Sequence, residues 1–134
     1  ILVIMEIFMY QFLCKMNIAI FFDENDIVVK EKVYSLKEYI SNSKEIKQYN
    51  FNFISNVNFK SDIYLIISNN TNVIRNYINK IKYKDEKKYL IVTSNQEAEH
   101  VLECVSYTKN LLYLKKTPED ILTKIIKIYE ENNY

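Results

Sequence analysis

Residues 63–81 read IYLIISNNTNVIRNYINKI, and how this stretch divides decides the fold. Its first five residues are apolar without alternation, the pattern of a strand covered on both faces in a parallel sheet. After the polar turn SNN, the apolar residues Val73, Ile74, Tyr77, Ile78 and Ile81 recur at helical spacing and mark one helix face. The stretch is therefore a strand, a turn and a helix, and the same unit recurs twice downstream. Tyr89–Thr93 (YLIVT) is followed by a stripe at Ala98, Val101, Leu102 and Val105. Residues 111–114 (LLYL) are followed by one at Ile121, Leu122, Ile125, Ile126 and Tyr129. Ser94 with Glu97 fits a capping box. Thr117-Pro118-Glu119-Asp120 combines a cap, a proline suited to the first helical position and acids that favour the positive end of the helix dipole. Three strand–helix units in succession predict a parallel sheet with right-handed crossovers.

Upstream, residues 18–22 (IAIFF) form another continuous apolar run, and Tyr49, Phe51 and Phe53 alternate with Asn50 and Asn52 as in a strand with one covered face. The expected architecture is one α/β domain, a three-layer sandwich with a mainly parallel central sheet of about five strands flanked by helices. Residues 27–40 stay open. Val29, Val33, Leu36 and Ile40 fit helical spacing, yet IVV and KVYSL also read as two short strands.

Composition narrows the chemistry. None of the 134 residues is glycine, where average usage of ~7% predicts about nine. Loops that bring backbone close to phosphate oxygens depend on glycine, so no P-loop, dinucleotide fingerprint or nucleophile elbow is present. The abundance of Ile, Asn, Lys and Tyr points to AT-rich codon usage. The chain is 49% hydrophobic and 26% charged, as expected of a globular domain. Its 18 basic residues nearly balance 17 acidic ones, so no global field favours nucleic acid or an anionic membrane. The densest basic run, residues 80–88 (KIKYKDEKK), contains Asp85 and Glu86 and reads as a solvated loop.

Residues 1–15 (ILVIMEIFMYQFLCK) read as an upstream extension or apolar N-terminal segment, with Met16 as the expected start of a single domain over residues 16–134. Glu6, Gln11 and Lys15 interrupt the apolar run, short of the ~20 residues a membrane span needs. Cys14 and Cys104 form no CxxC pair, so neither a metal site nor a disulfide framework is indicated and a cytoplasmic protein is expected.

In open parallel sheets ligands bind outside the carboxyl ends of the strands. Those ends carry Asp23, Glu24 and Asp26 after the first run, and Ser68, Asn69 and Asn70 after the second. Thr93, Ser94 and Asn95 follow the third, with Lys115 and Lys116 after the fourth. Acids facing a lysine across such a rim have the chemistry to hold Mg²⁺ or an anion. Polar turns and helix caps account for the same residues. His100 stands among Glu97, Glu99 and Glu103 and reads as a surface residue; Cys104, one turn later, borders the apolar stripe. Tyr64, Tyr77, Tyr89, Tyr113 and Tyr129 occupy apolar positions and read as core rings, not as a platform for stacked bases. No catalytic residue, metal ligand set or cofactor is assigned.

NIAIFFDEN from Asn17, KVYS at 32–35 and TPEDIL at 117–122 resemble the AnfO family of accessory proteins associated with iron-only nitrogenase. The resemblance implies a small non-catalytic factor acting through a partner or metallocofactor, with antiparallel strands across residues 27–54. The run at Ile63–Ile67 and the lysines at 87 and 88, where that family carries a cysteine, depart from its pattern. The βα order also resembles a response-regulator receiver, with Thr93 at a strand end and Lys115 or Lys116 before a proline-started helix. Phe22 stands where the first receiver acid would be, and Ser68 and Asn69 occupy the phosphoacceptor region. That resemblance implies a degenerate receiver used for protein contacts, with a helix across residues 29–40. Both readings expect a protein partner and no enzymatic activity, nucleic acid or membrane.

Overall fold

The computed structural model describes residues 15–43, 50–82, 88–93, 111–113 and 117–133. The elements in chain order are β1 (Lys15–Phe22), α1 (Ile27–Asn42), β2 (Asn50–Ile54), β3 (Ile63–Ile67), α2 (Thr71–Lys80), β4 (Tyr89–Thr93), β5 (Leu111–Tyr113) and α3 (Pro118–Asn133). The sheet runs β2-β1-β3-β4-β5, and every neighbouring pair is parallel. The chain is an α/β fold, as the run-and-stripe pattern predicts. The stripe at residues 98–105 and the box at Ser94 and Glu97 lie outside the described residues.

Period-two alternation divides the core between the two sheet faces. Met16, Ile18 and Ile20 of β1, Ile63, Leu65 and Ile67 of β3, and Leu90 and Val92 of β4 point to one face. There they meet Val29, Val33, Leu36 and Ile40 of α1 and Ile121, Leu122, Ile125 and Ile128 of α3. Ala19, Phe21, Tyr64, Ile66, Tyr89 and Ile91 point to the other, against Ile74 and Ile78 of α2 and Ile81 at its end. Strands covered on both sides need no polar alternation, which is why β3 and β4 read as unbroken apolar runs. β2 is the exception. It pairs only with β1, and Phe51 and Phe53 pack on the α1 face while Asn52 is exposed.

The open stretch after β1 is a helix. Asp26 has extended backbone, and its side chain accepts hydrogen bonds from the backbone N–H groups of Val28 (3.0 Å) and Val29 (3.3 Å), capping α1. The buried residues Val29, Val33, Leu36 and Ile40 form one stripe, and α1 packs side by side with α3. β-branched residues at 27–29 suit a strand locally, but the apolar stripe finds its partner surface only as a helix. The antiparallel strands expected across 27–54 on the accessory-factor reading are therefore corrected to a helix and a strand parallel to β1.

β1 begins at Lys15, and Met16 is fully buried within it, so the strand is longer than the apolar run IAIFF. Asn17 explains how a polar residue fits there. Its N–H donates to the Asp62 carboxylate (2.8 Å), its carbonyl accepts from Asp62 N–H (2.9 Å), and its side-chain oxygen accepts from Asn52 Nδ2 (3.2 Å).

The connection from β2 to β3 is residues 55–62 and holds no helix. Because β1 lies between β2 and β3, this segment steps across two strand spacings with almost no return along the sheet, since β2 ends opposite Ala19 and β3 begins opposite Ile18. The lateral step is about 9.6 Å, well within the about 26–29 Å that an extended chain of that length reaches. The surplus length is taken up by a turn in which Phe59 N–H donates to Asn56 O (3.3 Å). Val57 packs on the α2 face, and its carbonyl accepts a hydrogen bond from Lys82 N–H just past α2 (3.0 Å). Beside α2 the sheet is thus covered by a strap of chain, and this positions the cavity described next.

Candidate functional site

Parallel pairing places the carboxyl ends of all the strands along one rim, and the order reverses between β1 and β3, where ligands of doubly wound sheets bind. Asp23 and Glu24 follow β1 and Ser68 and Asn69 follow β3, adjacent in space because Asp23 N–H donates to Ile67 O (3.3 Å). Thr93 closes β4, and Ser68 N–H donates to Val92 O (3.1 Å). The structure thus brings Asp23, Glu24, Ser68, Asn69 and Thr93 together at the carboxyl end of the sheet. Ser94, Lys115 and Lys116 lie outside the described residues, as do Cys14, His100 and Cys104.

Most of these polar groups are occupied by the backbone around them. Asp23 Oδ1 accepts from Asn25 N–H (3.0 Å), closing the turn after β1, and Asp26 caps α1. Ser68 is fully buried; its hydroxyl accepts from Asn70 N–H (3.0 Å) and donates to Asn70 O (3.4 Å). Asn70 caps α2 through Asn72 N–H (2.9 Å) and Val73 N–H (3.4 Å). Thr93 is buried as well. Ser68 and Thr93 are thus packed beneath the rim and do not face a ligand there. Among the described residues no group of three or more His, Cys, Asp or Glu side chains is placed to hold a metal ion.

The concave feature at the rim lies to one side of the reversal point. A cavity of about 290 Å³ is lined by Ile20, Phe21, Phe22, Glu24, Ser55, Asn56, Val57 and Tyr77. Tyr77 projects from α2, stacks on Phe21 with ring centroids 5.2 Å apart, and donates its hydroxyl hydrogen to Phe22 O (3.1 Å). Burial pushes the Tyr77 phenol above its usual range, and the nearby charges of Glu24 and Asp23 push it further in the same direction. Ser55 Oγ donates to Ile20 O (3.4 Å), and Asn56 Oδ1 accepts from Asn58 N–H (2.9 Å). Sequence reading placed Tyr77 in the core stripe and passed over Ser55 and Asn56. The signal in the sequence was the short segment between two strand patterns, which among the described residues holds no helix.

A larger and more open groove of about 600 Å³ runs along α1, past Lys30, Val33, Tyr34 and Lys37, and touches the rim only through Phe22. Its walls mix Lys30 and Lys37 with Glu31, Ser35 and apolar groups. No helix among the described residues is long and apolar enough to cross a membrane. No family model matches the chain, and no curated protein and no solved structure does either.

Proposed function

We propose that the chain is a degenerate receiver-type domain that acts through protein contacts and carries no catalysis of its own. One observation carries this reading: α1 lies between β1 and a β2 that pairs parallel to it, within the strand order β2-β1-β3-β4-β5. A receiver-type layout requires that helix, and the accessory-factor reading requires antiparallel strands in its place. The same proposal takes the molecule as a three-layer sandwich of about five strands, working in the cytoplasm with a protein partner and with neither nucleic acid nor a membrane surface.

The rim chemistry supports the word degenerate. Phosphoryl transfer to a receiver needs a carboxylate after the third strand in the chain and acids after the first. Here Ser68 follows β3 with its hydroxyl committed to Asn70, and Phe22 stands where the first acid would be, ahead of Asp23 and Glu24. Ile27 and Val28, at the rim end of α1, are 73% and 60% exposed; they offer a partner apolar area next to acidic groups.

Two measurements test the proposal. Incubation with acetyl phosphate and Mg²⁺ is expected to leave the intact mass and the amide resonances of residues 67–70 unchanged; a phosphoryl adduct would overturn the degenerate assignment. Interstrand nuclear Overhauser effects are expected to link β1 to β2 in parallel register, Ile18 opposite Phe53. Antiparallel cross-peaks within residues 27–54 would return the accessory-factor reading.

A further inference from the structure

We propose that the cavity between Tyr77 and the 55–62 strap is a binding site for a small organic cation, a primary ammonium or guanidinium group. This inference is independent of the receiver-type reading, since the cavity and its lining belong to this chain whatever its signalling role. A phosphoryl adduct in the test above would leave it intact.

The hydrogen-bonding inventory selects the ligand. Tyr77 Oη has given its hydrogen to Phe22 O, and Ser55 Oγ has given its hydrogen to Ile20 O, so both present lone pairs. Glu24 adds an exposed carboxylate at the mouth. Against these three acceptors the lining offers one side-chain donor, the Asn56 amide, whose oxygen already holds Asn58 N–H. Phe21 and Val57 supply the aromatic and apolar floor. Acceptors above an apolar floor suit a charged nitrogen group with a short carbon body, whose hydrogens meet the acceptors. A divalent metal ion suits the site poorly, because a single carboxylate and neutral oxygens give it too little charge. At about 290 Å³ the volume is at the small end for ligand pockets and admits a head group of this size.

Such a cation arrives either as a free small molecule or on an arginine or lysine side chain of a partner. Methylguanidinium is the probe, with methylurea as its neutral counterpart of nearly the same shape. Titration followed by amide chemical shifts is expected to give saturable changes at Glu24, Ser55, Asn56, Val57 and Tyr77 with methylguanidinium only. Glu24→Gln, at an exposed position, is expected to keep the fold and weaken binding about tenfold or more. An acetylated, amidated Ala-Arg-Ala peptide separates the two sources. Binding at least as tight as the free ion assigns the cation to a polypeptide, and weaker binding assigns it to a free amine; either result requires the cation site. Equal responses to methylurea, unsaturable shifts, or an unchanged midpoint in Glu24→Gln would overturn it.

Discussion

Tyr77 is half-buried at the rim, and its hydroxyl is tied to the end of β1. Its hydroxyl bond to Phe22 O contributes about 0.5–1.5 kcal/mol, so Tyr77→Phe is expected to lower stability by that amount near neutral pH. The pH dependence follows from the raised phenol. The folded state holds this proton more tightly than the unfolded chain, so the stabilisation is complete below the ordinary value of 10.0 and disappears as pH rises through the folded one. Urea unfolding at about pH 8 and about pH 11 should therefore show the gap between wild type and Tyr77→Phe narrowing at the alkaline end. A constant gap would mean that the phenol is not raised. Ser61 gives the opposite kind of test. Its Oγ is buried and is the one such side-chain atom among the described residues without a hydrogen-bond partner, although Ser61 N–H donates to Tyr64 Oη (2.9 Å). An unpaired buried hydroxyl costs roughly 1–3 kcal/mol, so Ser61→Ala should raise the urea midpoint. A lower midpoint would reveal a bridging water.

Helix starts are the elements' most separable stabilising features. Asp26 and Asn70 each accept from two backbone N–H groups at the first turns of α1 and α2. Alanine at either should cost about 0.5–2 kcal/mol, and because the two caps serve different helices, the double variant should be close to the sum. Thr117 serves α3 through Asp120 N–H (3.2 Å), the cap predicted from the Thr-Pro-Glu-Asp sequence. The α3 stripe was legible from residue spacing at Ile121, Leu122 and Ile125. Past Ile125 the buried position is Ile128, with Ile126 and Tyr129 only partly buried beside it. α1 is the element that local pattern left open, and its burial supplies the check. Leu36 is fully enclosed between the sheet and α3, so Leu36→Ala should cost about 2–5 kcal/mol by chemical denaturation. A near-zero cost would mean that residues 27–42 do not dock as a helix.

Across the whole molecule, one sheet carries two cores, since adjacent residues of β1, β3 and β4 face opposite sides. Neither face can lose its packing while the strands stay in register, so the domain is expected to unfold in a single transition. Far-ultraviolet circular dichroism and tyrosine fluorescence should give one midpoint. The edge-to-face pair Tyr64 and Tyr89, with centroids 5.4 Å apart, reports the α2 face. Ile20→Ala on one face and Ile66→Ala on the other should each shift both probes together. Separate midpoints would indicate that the helices on the two faces open independently.

Sequence alone determined the strands β3 and β4, the stripes of α2 and α3, the parallel character of the sheet and the polar composition of its rim. Those follow from periodicity, which reports how many sides of a segment are covered and how often. Periodicity carries no information about what does the covering. Tertiary structure therefore decided that residues 27–42 are a helix against α3, that β2 lies outside β1, and that Ser68 and Thr93 sink beneath the rim while Glu24 stays at its surface. It also decided that Tyr77, Ser55 and Asn56 meet around a cavity, because the chain beside α2 at that point is a strap without a helix.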